Sequence, residues 1–309
     1  MKNTLKLALL FLAVIVTACG TGEVVPLRNL DGEASGAVID YRLVATSDNE
    51  LELELDLYVV DRTGNFVLNL ENSSFLGTAG SFDISLQGVS ARRVPEKGPY
   101  SAMMLLDQSG SISSTDPDDL RIESSKIFAD ALGSSDHAAL ASFTSSYSEN
   151  YQVHSGFTND IEALKGSADL LLNREGGGTP LYFATNRMID YVSDNAPNQN
   201  RAVIVFTDGN DTRGGTNLQE VTRYAQEQDI QLYTVGLSRG VDIDVLSEMA
   251  SETDGAFMWA EDARQLITMF GTLGELLNGT ARYYQTWWKI TRTSGTFRRA
   301  KSSPYSRSR

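Results

Sequence analysis

Between residues 49 and 60 the chain reads NELELELDLYVV, with Leu51, Leu53, Leu55 and Leu57 on alternate positions against Glu50, Glu52, Glu54 and Asp56. A period of two is that of a strand with one wet face. Shorter runs flank it: AVIDYRLVA (37–45) before, and NFVLNL (65–70) and SFDISLQGV (81–89) after. Turn chemistry such as DRTGN and GTAGS separates them. The pattern predicts a segment of antiparallel β-sandwich over residues 36–97. RRVPEKGP (92–99) reads as a linker, because its two prolines do not suit a central strand.

From Tyr100 the pattern changes. YSAMMLLD (100–107) is apolar without alternation, as expected for a strand covered on both faces. Leu120, Ile127, Phe128 and Ala131 then fall on one helical face. HAALASFT (137–144) reads as the next strand and YQVHSGFT (151–158) as its edge partner. Two helices flank GGGTPL, the first ending near Asn173 and the second running from about Pro180 to Val192. RAVIVFTDG, NLQEVTRYAQEQD, IQLYTVGL, DIDVLSEMAS and GAFMWA continue the alternation of strand and helix. A last helix from near Glu261 places Leu266, Phe270, Leu273 and Leu277 on one face. Such alternation predicts right-handed crossovers and an α/β fold with a doubly wound, mostly parallel sheet flanked by helices. ARYYQTWWKITRT (281–293) returns to strand-like alternation and has no place in that layer. It is expected to pair, over 280–293, with the N-terminal β segment, so that the α/β domain is inserted between β segments. Trp287 and Trp288 must then face opposite sides, with core packing preferred over a contact role. The remaining 294–309, Ser/Arg-rich and without acids, reads as a solvated basic tail.

The first eighteen residues add a location. Lys2 and Lys6 precede an apolar run from Leu7 to Val16 and the small exit Thr17-Ala18, the parts of a secretory signal too short to span a bilayer. Cys19 follows directly and is the only cysteine, so no internal disulfide can form. This arrangement resembles the lipobox of bacterial lipoproteins, which implies acylation of Cys19 and a tether over 19–35. Gly20 is not the aspartate that retains enteric lipoproteins in the inner membrane, and the expected location is the bacterial envelope, at the outer membrane. With 26 Lys+Arg against 40 Asp+Glu the net charge is −14. That balance argues against nucleic acid, whose phosphates need a basic surface, and suits divalent cations and basic partner surfaces.

The chemistry concentrates in LLDQSGSIS (105–113), where an apolar strand ends on Asp107 and Ser109, Ser111 and Ser113 follow on alternate positions. Two further signals occupy matching edges: Thr179 in GGGTPL and Asp208 in FTDGND. In doubly wound sheets ligands bind at the carboxyl ends of the strands. Ordinary readings stand beside this one: a Ser/Gly turn, Thr179 capping the helix at Pro180, and Asp211 as a loop cap. His137 and His154 lack partners in sequence and read as structural; without a G-x-S-x-G elbow Ser109 is a poor nucleophile.

Together, Asp107, Ser109, Ser111, Thr179 and Asp208 resemble the metal-ion-dependent adhesion site of the von Willebrand factor type A domain, over residues 98–279. The resemblance implies that Ser109 and Ser111 ligate Mg²⁺ directly, Thr179 directly or through water, and Asp107 and Asp208 largely through waters. Mn²⁺ can substitute, and no Cys or His cluster favours Zn²⁺. One coordination position is then kept for an Asp or Glu of another protein. The family's coupling of binding to movement of the last helix makes the Leu266 to Leu277 face a candidate switch. The expected function is non-enzymatic, Mg²⁺-dependent protein binding or adhesion from a lipid anchor. Two alternatives stay open: an assembly factor whose metal only stabilises the fold, and a metal-dependent hydrolase, for which no general base is evident.

Overall fold

The structure is a computed structural model that describes residues 15–16, 34–45, 50–61, 67, 69–76, 82–93, 98–238, 240–260, 263–278 and 282–292. Most of the leader, Cys19, most of the tether and the basic tail lie outside the described residues. No described helix is long and apolar enough to cross a membrane.

The N-terminal part holds β1 (Ile15–Val16), β2 (Ala34–Ala45), β3 (Glu50–Asp61), β4 (Phe75–Leu76) and β5 (Phe82–Arg93). The α/β part runs β6 (Tyr100–Asp107), α1 (Ile112–Thr115), α2 (Leu120–Asp130), β7 (His137–Phe143), β8 (Tyr151–Thr158), α3 (Ile161–Asp169) and α4 (Leu181–Asn195). It continues through β9 (Asn200–Thr207), α5 (Leu218–Glu227), β10 (Gln231–Leu237), α6 (Ile243–Ser251), β11 (Phe257–Ala260) and α7 (Arg264–Asn278). The chain then returns as β12 (Arg282–Arg292).

Ten strands form one sheet in the order β5-β12-β3-β2-β11-β10-β9-β6-β7-β8. Strands β11, β10, β9, β6 and β7 are parallel, and β8 closes one edge antiparallel. On the other side β2 meets β11 antiparallel through Val38 opposite Phe257 and Ala37 opposite Met258. β12 lies between β3 and β5, antiparallel to both. Among the described residues β2, β3, β5 and β12 thus form one layer joined edge to edge with the parallel sheet, faced by a short second sheet, the β1–β4 pair, through Phe75 and not by the full opposing sheet of a sandwich. Its apolar face is covered mainly by the segment around Leu70 and Phe75, which packs on Leu55, Leu57, Val59, Tyr284 and Trp288. β1 and β4 form a separate two-stranded pair.

Burial explains the patterns. Every side chain of β6 is buried, so the strand has no wet face to mark with polar residues. Its alternate residues feed two cores. Tyr100, Ala102, Met104 and Leu106 join the layer that contains α2 and α7, where Leu266, Phe270, Leu273 and Leu277 are all buried. Met103 and Leu105 join the layer of α4, α5 and α6. In β12 the alternation runs Tyr284, Thr286, Trp288: the Trp288 indole is in the core and donates to Thr286 Oγ1 at 2.8 Å. The half-buried Trp287 lies on the other face against Gly88, beside a register shift.

Helix α2 departs from its expected face. Ile122, Phe128 and Ala129 are buried, as are Arg121, Ser124 and Ser125, whereas Ala131 is exposed. The two serines satisfy their hydroxyls on the carbonyls of Leu120 and Ile122, at 2.6 and 2.7 Å, and so fit a packed face without polar partners elsewhere.

Candidate metal centre at the carboxyl edge of the sheet

The chain winds from β6 outward to β7 and β8, then crosses to the other side of β6 for β9, β10 and β11. The carboxyl ends of β6 and β9 therefore flank the point where the winding reverses, the usual location of a ligand crevice in such sheets. Their parallel register pairs Leu106 with Phe206, which sets Asp107 beside Thr207 and brings Asp208 to the same rim.

Four of the five sequence-predicted residues are joined by hydrogen bonds. Asp107 Oδ1 accepts from the Ser109 backbone N–H at 2.7 Å, and its Oδ2 accepts from the Thr207 hydroxyl at 2.6 Å. Ser109 Oγ and Ser111 Oγ are 3.1 Å apart, and Ser111 Oγ donates to Asp208 Oδ1 at 2.7 Å. The Thr115 hydroxyl, one helical turn beyond Ser111, donates to Asp208 Oδ2 at 2.5 Å. Ser111 is exposed, while Asp107 and Ser109 are buried, so the cluster opens to solvent on one side.

Thr179 comes from a third loop. Backbone bonds lock that loop to the first: Gly110 N–H donates to Gly177 O and Gly176 N–H to Gln108 O, each at 2.9 Å. Gly177 has φ +77°, and a Cβ there would stand 2.8 Å from both Ser146 N and Thr144 Oγ1, so only glycine fits this crossing. Thr179 Oγ1 lies 3.7 Å from where a Cβ on Gly209 would stand, next to Asp208. The expected cap on α4 is not made by Thr179. Asp211 makes it, accepting from Tyr182 N–H at 3.1 Å. The Thr179 hydroxyl is left without a hydrogen bond among the described residues.

Electrostatics sharpen the picture. Burial pushes the Asp107 carboxyl up to about 6, and neighbouring Asp208 adds to the rise, against the lowering by bonds from Thr207 and Ser109. No Lys, Arg or His side chain bonds either carboxylate among the described residues. The nearby guanidinium of Arg121 is committed elsewhere. It is fully buried and bonds Asp116 at 2.9 Å, Asp119 at 2.7 Å, Gln108 Oε1 at 2.6 Å, and Glu175. The donor set is therefore two carboxylates and three hydroxyls, all hard oxygen, with a charge deficit. That composition fits a small divalent cation and not a Cys/His metal; among the described residues no cluster of His, Cys, Asp or Glu offers another metal site.

Sequence reasoning missed Thr207, Thr115 and Arg121. Thr207 directly precedes Asp208, and Thr115 sits four residues after Ser111, so both had a positional signal. Arg121 had none, because an arginine on an amphipathic helix reads as solvated. His154 pairs through Nε2 with the buried Ser142 hydroxyl at 2.8 Å, and burial, then Arg174, lowers its pKa.

The model of the von Willebrand factor type A domain matches residues 103–272, more than half of the chain, and the chain belongs to that family. Domains of this family commonly mediate protein–protein adhesion and metal-dependent binding. Among solved structures, a von Willebrand factor type A protein from Catenulispora acidiphila superposes with a TM-score of 0.52 at 12% identity, over 87% of this chain and 68% of the other. Proximal thread matrix protein 1 from the mussel byssus gives 0.50 at 15%, over 64% and 49%, in a structure described as having a zinc-occupied metal-ion-dependent adhesion site motif. The pilus adhesin SpaC from Lactobacillus rhamnosus GG gives 0.51 at 9%, over 82% and 43%. At these identities the likeness is one of fold, and the chain spans less than half the length of the last two. No curated protein matches the sequence.

Proposed function

We propose that the protein binds another protein through a divalent cation, Mg²⁺ or Mn²⁺, held by Asp107, Ser109, Ser111, Thr179 and Asp208. The observation that carries this reading is the Thr179 hydroxyl, which faces Gly209, the residue after Asp208, and makes no hydrogen bond among the described residues, while its expected capping duty falls to Asp211. A hydroxyl relieved of structural work on the same rim as two carboxylates that no basic side chain neutralises is what a cation site requires. When bound, such an ion supplies a hard electrophile on which a partner's Asp or Glu carboxylate can sit. The open side at Ser111 gives that carboxylate access.

Binding is favoured over catalysis. The Ser142–His154 pair is the nearest thing to a nucleophile and base, yet Ser142 is fully buried on β7. The acyl anchor at Cys19 and the place at the bacterial outer membrane belong to the same proposal. They rest on the leader pattern and Gly20.

Affinity capture from envelope extracts tests the reading, with the full chain immobilised in Mg²⁺ or in EDTA and Asp208→Ala alongside. A protein retained only by the wild type in Mg²⁺ supports it. Partners equal in all lanes overturn it and favour an assembly factor whose metal serves the fold alone.

A further inference from the structure

The loop after β9 carries more than Asp208. Thr212 bonds Thr179 in both directions: its N–H donates to Thr179 O at 2.9 Å, and its Oγ1 accepts from Thr179 N–H at 2.8 Å. Asp211 holds the next turn, accepting from the N–H groups of Arg213 at 3.2 Å and Gly214 at 2.9 Å. Arg213 therefore begins one residue from a direct clasp on a proposed cation ligand. Its guanidinium carbon stands 3.5 Å from the centroid of the Phe183 ring, which is four residues past Thr179 on the first turn of α4. That distance is van der Waals stacking. A stacked guanidinium uses its flat face on the ring and leaves its N–H edge turned outward in a fixed fork.

Arg213 is exposed, and it makes no ion pair among the described residues. Its neighbours are not so free. Arg187 lies 5.3 Å from the same ring but pairs with Asp190 at 2.9 Å, and Arg223 pairs with Glu227 at 2.6 Å. A groove of about 430 Å³ continues from Phe183 past Asn186 and Thr216. Asp190 and Glu220 also line it, so within the groove the acidic groups of a partner are favoured only beside Arg213. The chain as a whole is −14, so an acidic partner approaches against the mean field. A pre-oriented cation at the rim reverses that locally.

We propose that Arg213 is a second recognition point beside the cation, and that the partner is an extended peptide segment with two acidic groups, one for the cation and one for Arg213. The inference rests on the protein-binding reading of the rim. It assigns Arg213 to specificity: a bidentate carboxylate contact on a stacked guanidinium selects among carboxylate donors that the cation alone accepts alike.

The test is selection of a displayed random-peptide library on the immobilised full chain in Mg²⁺, with EDTA elution, run on wild type, Arg213→Glu and Asp208→Ala. Wild type is expected to enrich peptides with two acidic positions at a fixed spacing. Arg213→Glu, an exposed substitution whose melting curve should match wild type, keeps the first acid and loses the second. It binds the wild-type peptide at least tenfold more weakly, and replacing the second acid by lysine recovers the loss. EDTA-eluted peptides with one acidic position, identical for wild type and Arg213→Glu, overturn the role of Arg213 and leave cation-dependent binding standing. If wild type yields no EDTA-eluted peptide, or Asp208→Ala yields the same ones, the cation reading itself falls and this inference with it.

Discussion

The Thr207 hydroxyl donates a 2.6 Å hydrogen bond to Oδ2 of Asp107, a residue one hundred positions earlier in the chain. The parallel register of β6 and β9 makes the bond, and the buried charge of Asp107 makes it matter. Thr207→Val keeps the shape and removes the hydroxyl, both as donor to Asp107 and as acceptor of the Gly209 N–H at 3.2 Å; only the first of these losses depends on the charge of Asp107. It should cost about 1.5–3 kcal/mol at pH 8, where a bond to a charged group is lost. The cost should shrink at pH 5, below the Asp107 pKa of about 6. Urea melts at the two pH values check it, and equal losses would show that the bond does not report on the charge.

The buried Asp107 carboxylate should oppose folding when no cation is bound. Its carboxyl is raised from 3.8 to about 6, so the cost of the buried charge is present in full above pH 6. It disappears as pH falls through 6 towards 4, where the unfolded state also takes up the proton. The shift corresponds to a cost on the order of 3 kcal/mol. Asp107→Asn should therefore raise the melting temperature in EDTA, by roughly 2–4 °C per kcal/mol recovered, and should remove any rise on adding Mg²⁺. Calorimetry of both proteins with and without Mg²⁺ measures this, and a variant that melts lower in EDTA contradicts the assignment.

Removing the cation should destabilise only the wild type. At a hundredfold excess over its dissociation constant a bound ion contributes about 2.7 kcal/mol. Titration of Mg²⁺ against the melting temperature should show a saturating rise that Asp208→Ala and Thr179→Val lack. A rise unchanged in both variants would place the cation elsewhere.

The Arg121 network holds two loops of the rim together, joining Gln108 in one to Glu175 in the other. Arg121→Ala leaves three carboxylates buried or half-buried without their cation and should cost about 3–5 kcal/mol. Arg121→Lys should not rescue it, because one ammonium cannot span four acceptors that a planar fork reaches. Chemical denaturation of the three proteins decides, and a wild-type midpoint for the lysine variant would refute the bridging role.

The alternating leucines of β3 and the unbroken apolar run of β6 were legible because each strand's burial is regular. The meeting of Asp107, Ser109, Ser111 and Asp208 on one rim was legible for a similar reason: each lies in a turn just at or after the carboxyl end of a strand, where spacing marks the edge of the sheet. Arg121 was not, since its burial depends on carboxylates from two other loops. Nor was the single-layer arrangement of β2, β3, β5 and β12. Alternation in a strand records that one face is covered, not whether a full second sheet covers it or a short segment such as that from Leu70 to the small β4 strand at Phe75. Thr179 shows the reverse failure, a local capping rule overruled by Asp211 arriving from a loop thirty residues away.

The position of β12 between β3 and β5 has a consequence for biogenesis. A chain made from its amino end must complete more than two hundred residues after β3 before the slot is filled. Until then β3 and β5 each present an open hydrogen-bonding edge, and the apolar face behind them lacks Tyr284 and Trp288. The last described strand is thus the one that ties β5 to the rest of the sheet, and a chain that stops short of residue 282 carries an open edge of β3 and an unpaired β5 into whatever compartment receives it.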